Sequence, residues 1–158
     1  MSGGELALRL FAAFRHLVDR VHVDLAEHGH PRVRPTHGFA LQAVGPTGAT
    51  AGELATRLGV TKQAAGKTVD ALEALGYVER AGDPQDARRK IVALTATGSE
   101  VLGLSARFFD RAHAQWVATV GDEQAGAFEQ VLRTITDEVT PRLDAASWLG
   151  DDGRRQDT

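Results

Sequence analysis

The chain has 158 residues, of which 42% are hydrophobic and 25% charged, and a net charge of −3; this is the profile of one folded domain, not of a disordered or collagen-like chain or a multidomain enzyme. It contains no cysteine, which excludes disulfides, thiolate nucleophiles, thiolate metal ligands and thiol-based redox sensing. No apolar run reaches the roughly 18–20 residues of a bilayer span, and residues 1–15 lack the basic, apolar and small-residue succession of a secretory signal, so a cytoplasmic protein with no membrane partner is expected.

The first element is a long helix. Leu6, Leu10, Phe14, Leu17, Val21 and Leu25 recur at three- and four-residue intervals, and Phe11 and Val18 widen the stripe. It must end within Glu27-His28-Gly29-His30-Pro31, where Gly and Pro terminate and imidazoles suit the negative end of the dipole. Residues 37–44 read as a short second helix stopped by Gly45-Pro46 and Gly48. Thr50-Ala51-Gly52-Glu53 has the form of a capping box, so a third helix starts there and runs to Leu58. Gly59 then supplies a tight turn and Thr61 caps a fourth helix that ends at Gly76, which is the spacing of a helix-turn-helix. Leu54, Ala55, Leu58, Val60, Ala65, Val69, Leu72 and Leu75 form its inward set.

Residues 77–81 and 90–94 are short strand-like segments separated by Gly82-Asp83-Pro84-Gln85-Asp86-Ala87, so a hairpin with a long tip is predicted, and a hairpin at this position is a wing. Thr95 caps a long helix carrying Val101, Leu104, Phe108, Ala112 and Trp116 up to Gly121. A last helix follows Asp122 with Phe128, Val131, Leu132, Ile135, Val139 and Leu143, kinked or restarted at Pro141 with Thr140 as cap. The tail, residues 150–158, is polar and is expected to fray.

Charge distribution says more than net charge. Residues 50–95 carry a net +1 against −4 elsewhere, and hold all three lysines of the protein together with the run Arg88-Arg89-Lys90. On the fourth helix Thr61, Lys62, Gln63, Gly66 and Lys67 lie opposite the apolar Ala65, Val69 and Leu72. A polar, basic helix N-terminus of this kind suits phosphates and base edges in a major groove, with Gln63 placed for direct base readout. Gly66 costs about 1 kcal/mol against alanine in a helix, and either close approach of backbone to DNA or plain packing accounts for it. Of Arg89 and Lys90, one is expected to contact phosphate and the other to be a solvated strand residue. Asp70 continues this face, where it would repel phosphate, and reads as a capping or solvent-facing residue.

Residues 50–98 resemble the winged helix-turn-helix of the MarR (multiple antibiotic resistance regulator) family. The resemblance is carried by Leu72-Glu73-Ala74-Leu75-Gly76-Tyr77-Val78-Glu79-Arg80, by Asp83-Pro84-Gln85-Asp86-Ala87-Arg88 and by Ile91-Val92-Ala93-Leu94-Thr95-Ala96-Thr97-Gly98. The order and lengths of the flanking helices extend it over about residues 5–147. It implies a mainly α fold with a small β-wing, in which a DNA-binding lobe joins dimerisation helices from both termini. The implied divisions are a first dimerisation helix at 1–30, the lobe at 35–98, the long and C-terminal helices at 99–149 and a tail at 150–158. It also implies a homodimer reading double-stranded DNA at a pseudo-palindromic operator, with Arg88 in the minor groove and Asp86 holding it. Two positions depart from the family pattern: Gly66 stands where a hydroxylated residue is common, and Ser99 where a basic one often follows the glycine.

The stripes at residues 6–25 and 128–143 exceed what one winged domain needs to cover, so Leu6, Leu10, Phe14, Phe128, Leu132, Ile135 and Val139 are candidates for the dimer interface. The resemblance further implies a small aromatic or phenolic effector held between the dimerisation helices and the lobe, for which Phe11, Arg15, His37, Phe39 and Phe108 are candidates. The expected function is a ligand-responsive repressor. The alternatives are a winged-helix protein-interaction module and a metal-responsive regulator, the latter because His28, His30 and His37 crowd a short stretch. No metal-ligand set, phosphate-cradling loop or nucleophile elbow is recognisable, so neither an enzyme nor a resident cofactor or metal is expected.

Overall fold

A computed structural model of the protein describes residues 1–83 and 86–137, all but Ala87 and Arg88 to the side chain. The elements in order are α1 (Gly3–Glu27), α2 (Pro35–Val44), α3 (Ala51–Leu58), α4 (Lys62–Ala74), β1 (Val78–Asp83), β2 (Asp86–Leu94), α5 (Ala96–Val120) and α6 (Asp122–Thr136). They form two compact units, a lobe of residues 34–102 and a helical unit of residues 1–33 with the described residues from Gly103 onward. The predicted Pro141 kink, the Thr140 cap, Val139, Leu143 and the tail lie outside the described residues.

In the lobe, α2 begins at Pro35, two residues ahead of the sequence expectation. Proline at the first helical position has its φ preset and no N–H to leave unpaired, and the Arg34 backbone N–H donates to Nδ1 of the buried His37 at 3.3 Å. The capping box of α3 forms as predicted. The Glu53 N–H donates to Thr50 Oγ1 at 3.2 Å, and Glu53 Oε2 accepts from the Thr50 N–H at 2.7 Å. Gly59 takes φ 66° and ψ 27° at the turn. The N–H groups of Gly59 and Val60 there close onto the carbonyls of Thr56 and Ala55 at 3.2 and 3.0 Å. Thr61 caps α4 by accepting from the Ala64 N–H at 3.1 Å.

The wing is longer and its tip shorter than predicted. β1 and β2 pair from Val78↔Leu94 to Gly82↔Lys90, then shift register to bring Asp83 opposite Asp86. The apolar, β-branched composition marked only the buried end of the hairpin, whereas the backbone ladder continues through exposed polar residues whose side chains have no part in it. Tyr77, expected in the strand, instead donates its N–H to Leu72 O at 2.9 Å and so closes the end of α4. A further sheet contact was not anticipated. Ala49 and Val92 exchange two backbone hydrogen bonds of 3.0 and 2.9 Å. Gly48 permits this approach at φ +75°, since a Cβ there would lie 2.7 Å from Ile91 Cγ2 and 2.8 Å from Val92 O. Leu41, Val44, Leu54, Leu58, Ala65, Val69, Leu72, Val78, Val92 and Val101 make the core of the lobe.

In the helical unit the lower half of the α1 stripe is buried through Val18, Val21 and Leu25, with Leu104, Phe108 and Ala125. The ring of His28 lies 5.0 Å from Phe108, Trp116 meets Phe128 edge-on at 5.1 Å, and His113 Nε2 bonds Glu129 Oε1 at 2.8 Å to join α5 to α6. No helix among the described residues is long and apolar enough to cross a membrane.

The tightest packing constraint in the lobe is at Gly98, where a Cβ would fall 1.9 Å from the Tyr77 carbonyl oxygen. Gly98→Ala is expected to cost about 2–3 kcal/mol, lowering Tm by roughly 5–10 °C in a thermal melt.

Candidate nucleic-acid interface

The capped start of α4 presents Lys62, Gln63 and Lys67 as exposed side chains, while Ala65, Val69 and Leu72 bury the opposite face. The first N–H groups of any helix have no intrahelical partner, and the helix dipole adds positive potential there. Thr61 satisfies one of them through Ala64. The remaining N–H groups, the two lysines and the amide of Gln63 form a surface of donors fit for an anionic, donor-reading groove. A Cβ at Gly66 would meet no atom within 4 Å. Packing within the lobe therefore does not require glycine there.

Basic residues of the lobe divide into two sets. Arg57 Nη1 donates to Ala43 O at 2.6 Å, at the last turn of α2. Arg80, on β1, grips α4 by pairing with Asp70 at 2.5 Å and with Glu73. These carboxylates hold its guanidinium pKa above its ordinary value, chiefly through the hydrogen bond to Asp70. Asp70 is exposed, as expected for a solvent-facing residue, and its charge is countered by this arginine. Arg89, on β2, pairs with Glu53 at 2.8 Å and approaches Asp83 at 3.7 Å. Lys62, Lys67 and Lys90 are exposed and form no ion pair with another described residue. Of the two wing candidates, Arg89 thus faces carboxylates of the lobe and Lys90 faces solvent. Asp86 and Arg88 lie on β2, next to the tip.

The sequence-predicted effector residues fall in both units. Phe11, Arg15 and Phe108 belong to the helical unit, and His37 and Phe39 to the lobe. In the helical unit a groove of about 700 Å³ is lined by Leu10, Phe14, Trp116, Phe128, Leu132 and Ile135 among others, with Phe108 at its wall and Arg20 and Arg111 supplying charge. Phe11 and Arg15 do not line it. The dimer candidates Leu6, Phe14 and Ile135 are exposed, Ile135 by 58%, and Leu10, Phe128 and Leu132 are half-buried. His28 and His30 lie in the helical unit and His37 in the lobe; among the described residues no group of three His, Asp or Glu side chains is placed to hold a metal ion.

Backbone and hydroxyl hydrogen bonds from Thr50 hold the Glu53 carboxyl below its ordinary value of 4.5, with Arg89 adding a smaller attraction. A depressed folded-state pKa contributes stability that is present above the unfolded value and lost as pH falls through the folded one. Urea midpoints are therefore expected to fall on acidification below about pH 4.5, and the fall to be shallower in Glu53→Gln than in the wild type.

The model of the MarR family matches residues 34–89, the segment from α2 to the wing. No curated protein matches the chain. Among solved structures, a MarR family protein from Bacillus stearothermophilus is 24% identical with a TM-score of 0.71, over 87% of this chain and 94% of that one. FabT of Streptococcus pneumoniae, solved in complex with DNA, is 20% identical with a TM-score of 0.72, over 86% of this chain and 96% of the other. CouR of Rhodococcus jostii RHA1, solved with p-coumaroyl-CoA bound, is 23% identical with a TM-score of 0.61, over 82% and 90%. At these identities the likeness establishes the fold, which is the mainly α, winged-helix fold of MarR-type transcription regulators.

Proposed function

From a MarR-type winged helix, matched to that family over residues 34–89, we propose a sequence-specific, DNA-binding transcriptional repressor that acts in the cytoplasm as a homodimer on a pseudo-palindromic operator. The observation that carries this reading is the exposed, capped N-terminal face of α4, where Lys62, Gln63 and Lys67 are left for an outside partner while Arg57, Arg80 and Arg89 of the same lobe are engaged within it. Gln63 reads base edges, the lysines contact phosphate, and the glycine at 66 lets the helix backbone come close. Arg88 at the wing enters the minor groove and Asp86 sets its direction. The complex of FabT with DNA supports this use of the fold.

The homodimer rests on a different observation. Leu6, Phe14 and Ile135 stand exposed on the terminal helices, and Phe14 and Ile135 share the walls of the groove in the helical unit with Leu10, Phe128 and Leu132. Apolar surface of that extent is ordinarily covered by a subunit. A two-fold dimer supplies paired recognition helices for the two half-sites. A small aromatic or phenolic effector then releases the protein from DNA by preferring a conformation that does not bind it, and the acyl-CoA complex of CouR supports that ligand class.

Fluorescence anisotropy against the duplex that the protein selects from a random-sequence library tests the reading. Arg88→Ala is expected to weaken selected-site binding by roughly tenfold or more, and Lys67→Ala to reduce the salt slope by about one. Equal affinity for the selected and a scrambled duplex would favour the protein-interaction module instead. Ile135→Asp is expected to shift the protein from dimer to monomer in sedimentation velocity and to abolish two-subunit binding.

A further inference from the structure

Two ion pairs and a backbone hydrogen bond converge on Arg80, and the DNA-reading role proposed above does not use them. Its guanidinium pairs with Asp70 and Glu73, and its backbone N–H donates to Glu73 Oε1 at 3.3 Å. Asp70 and Glu73 are three apart on α4, so they share a face and one guanidinium spans both. Arg80 itself sits opposite Val92 in the wing ladder. One side chain therefore bolts the root of the wing to the helix that carries Gln63 and Lys67. All three side chains are at least a third exposed, and pairs so exposed contribute little to overall stability. The fold does not need this clamp to stay folded. What it sets is geometry: with both ends fixed, the wing cannot rotate about the short Gly76-Tyr77 connection relative to α4.

We infer that Arg80 is a positioning residue for DNA binding, which holds the wing at a set angle to α4 through Asp70 and Glu73 so that wing and recognition helix meet adjacent grooves together. This rests on the DNA-binding reading above. The carboxylates matter as anchors, although by charge alone they would repel phosphate, and that opposition makes the inference testable.

Three proteins are compared with the wild type: Arg80→Met, the double variant Asp70→Asn/Glu73→Gln, and the triple combination. Each is measured by hydrogen exchange without DNA and by anisotropy against the wild-type-selected duplex. Arg80→Met and the double variant are each expected to bind roughly tenfold more weakly, and the triple no more weakly than Arg80→Met, because all three break one device. Exchange of β1 and β2 amides should quicken in every variant while α4 keeps its protection. The double variant removes no buried group and retains the fold even if Arg80→Met does not. Tighter DNA binding by the double variant would overturn the inference, since the carboxylates would then only repel. Unchanged wing exchange would overturn it as well. A wild-type protein that selects no sequence would refute the DNA reading separately, leaving the clamp to be judged by exchange.

Discussion

The lobe depends on the backbone of one residue, Tyr77. Its N–H closes the last turn of α4 onto Leu72, its carbonyl accepts from the Thr95 N–H at 3.1 Å, and the missing side chain of Gly98 lets the first turn of α5 lie against it. Thr95 adds a second tie, donating its hydroxyl to Gly76 O at 2.6 Å while capping α5 by accepting from the Gly98 N–H at 3.1 Å. The end of α4, the start and end of the wing and the beginning of the long helix thus meet within a few residues. Polar backbone groups buried at such a junction must find partners, and here they find them in one another.

From that junction the electrostatics follow. Guanidinium groups span paired carboxylates and bind carbonyls in fixed directions, whereas an ammonium is a compact, hydrated charge on a flexible stem. The lobe uses them accordingly. Arg57, Arg80 and Arg89 tie α2, α4 and α3 to their neighbours, and the lysines are left at the surface. A near-neutral segment can in this way display a basic face, because Asp70, Glu73 and Glu53 are occupied by Arg80 and Arg89. Net charge is a poor guide to partners when the charges are sorted by place.

The helical unit shows an opposite economy, with apolar surface left uncovered. Its packing is complete around Val21, Leu25, Leu104 and Phe108, and incomplete towards Leu6, Phe14 and Ile135. The helix stripe continues past the core it serves, and this remainder is the surface on which the proposed homodimer rests.

Much of this was legible in the chain itself. Thr50-Ala51-Gly52-Glu53, Gly59, Thr61 and Gly76 placed the ends of α3 and α4, because caps and left-handed turns are local events governed by the residues that make them. The polar face of α4 was likewise readable from spacing, and so was the presence of a wing. The length of the wing, the Ala49–Val92 contact and the early start of α2 were not, since strand pairing is made by backbone between residues distant in sequence and leaves little mark on composition. Spacing placed Asp70 and Arg89 near the surface yet could not say that one meets Arg80 and the other's partner is Glu53, across 10 and 36 residues of chain. Local sequence by itself determined which segments are helices and which face of each is apolar, because those preferences act within a turn or two. Only the tertiary structure decided which charges are spent inside the lobe and which remain for a partner, because ion pairing depends on distance in space and the chain must fold before that distance exists.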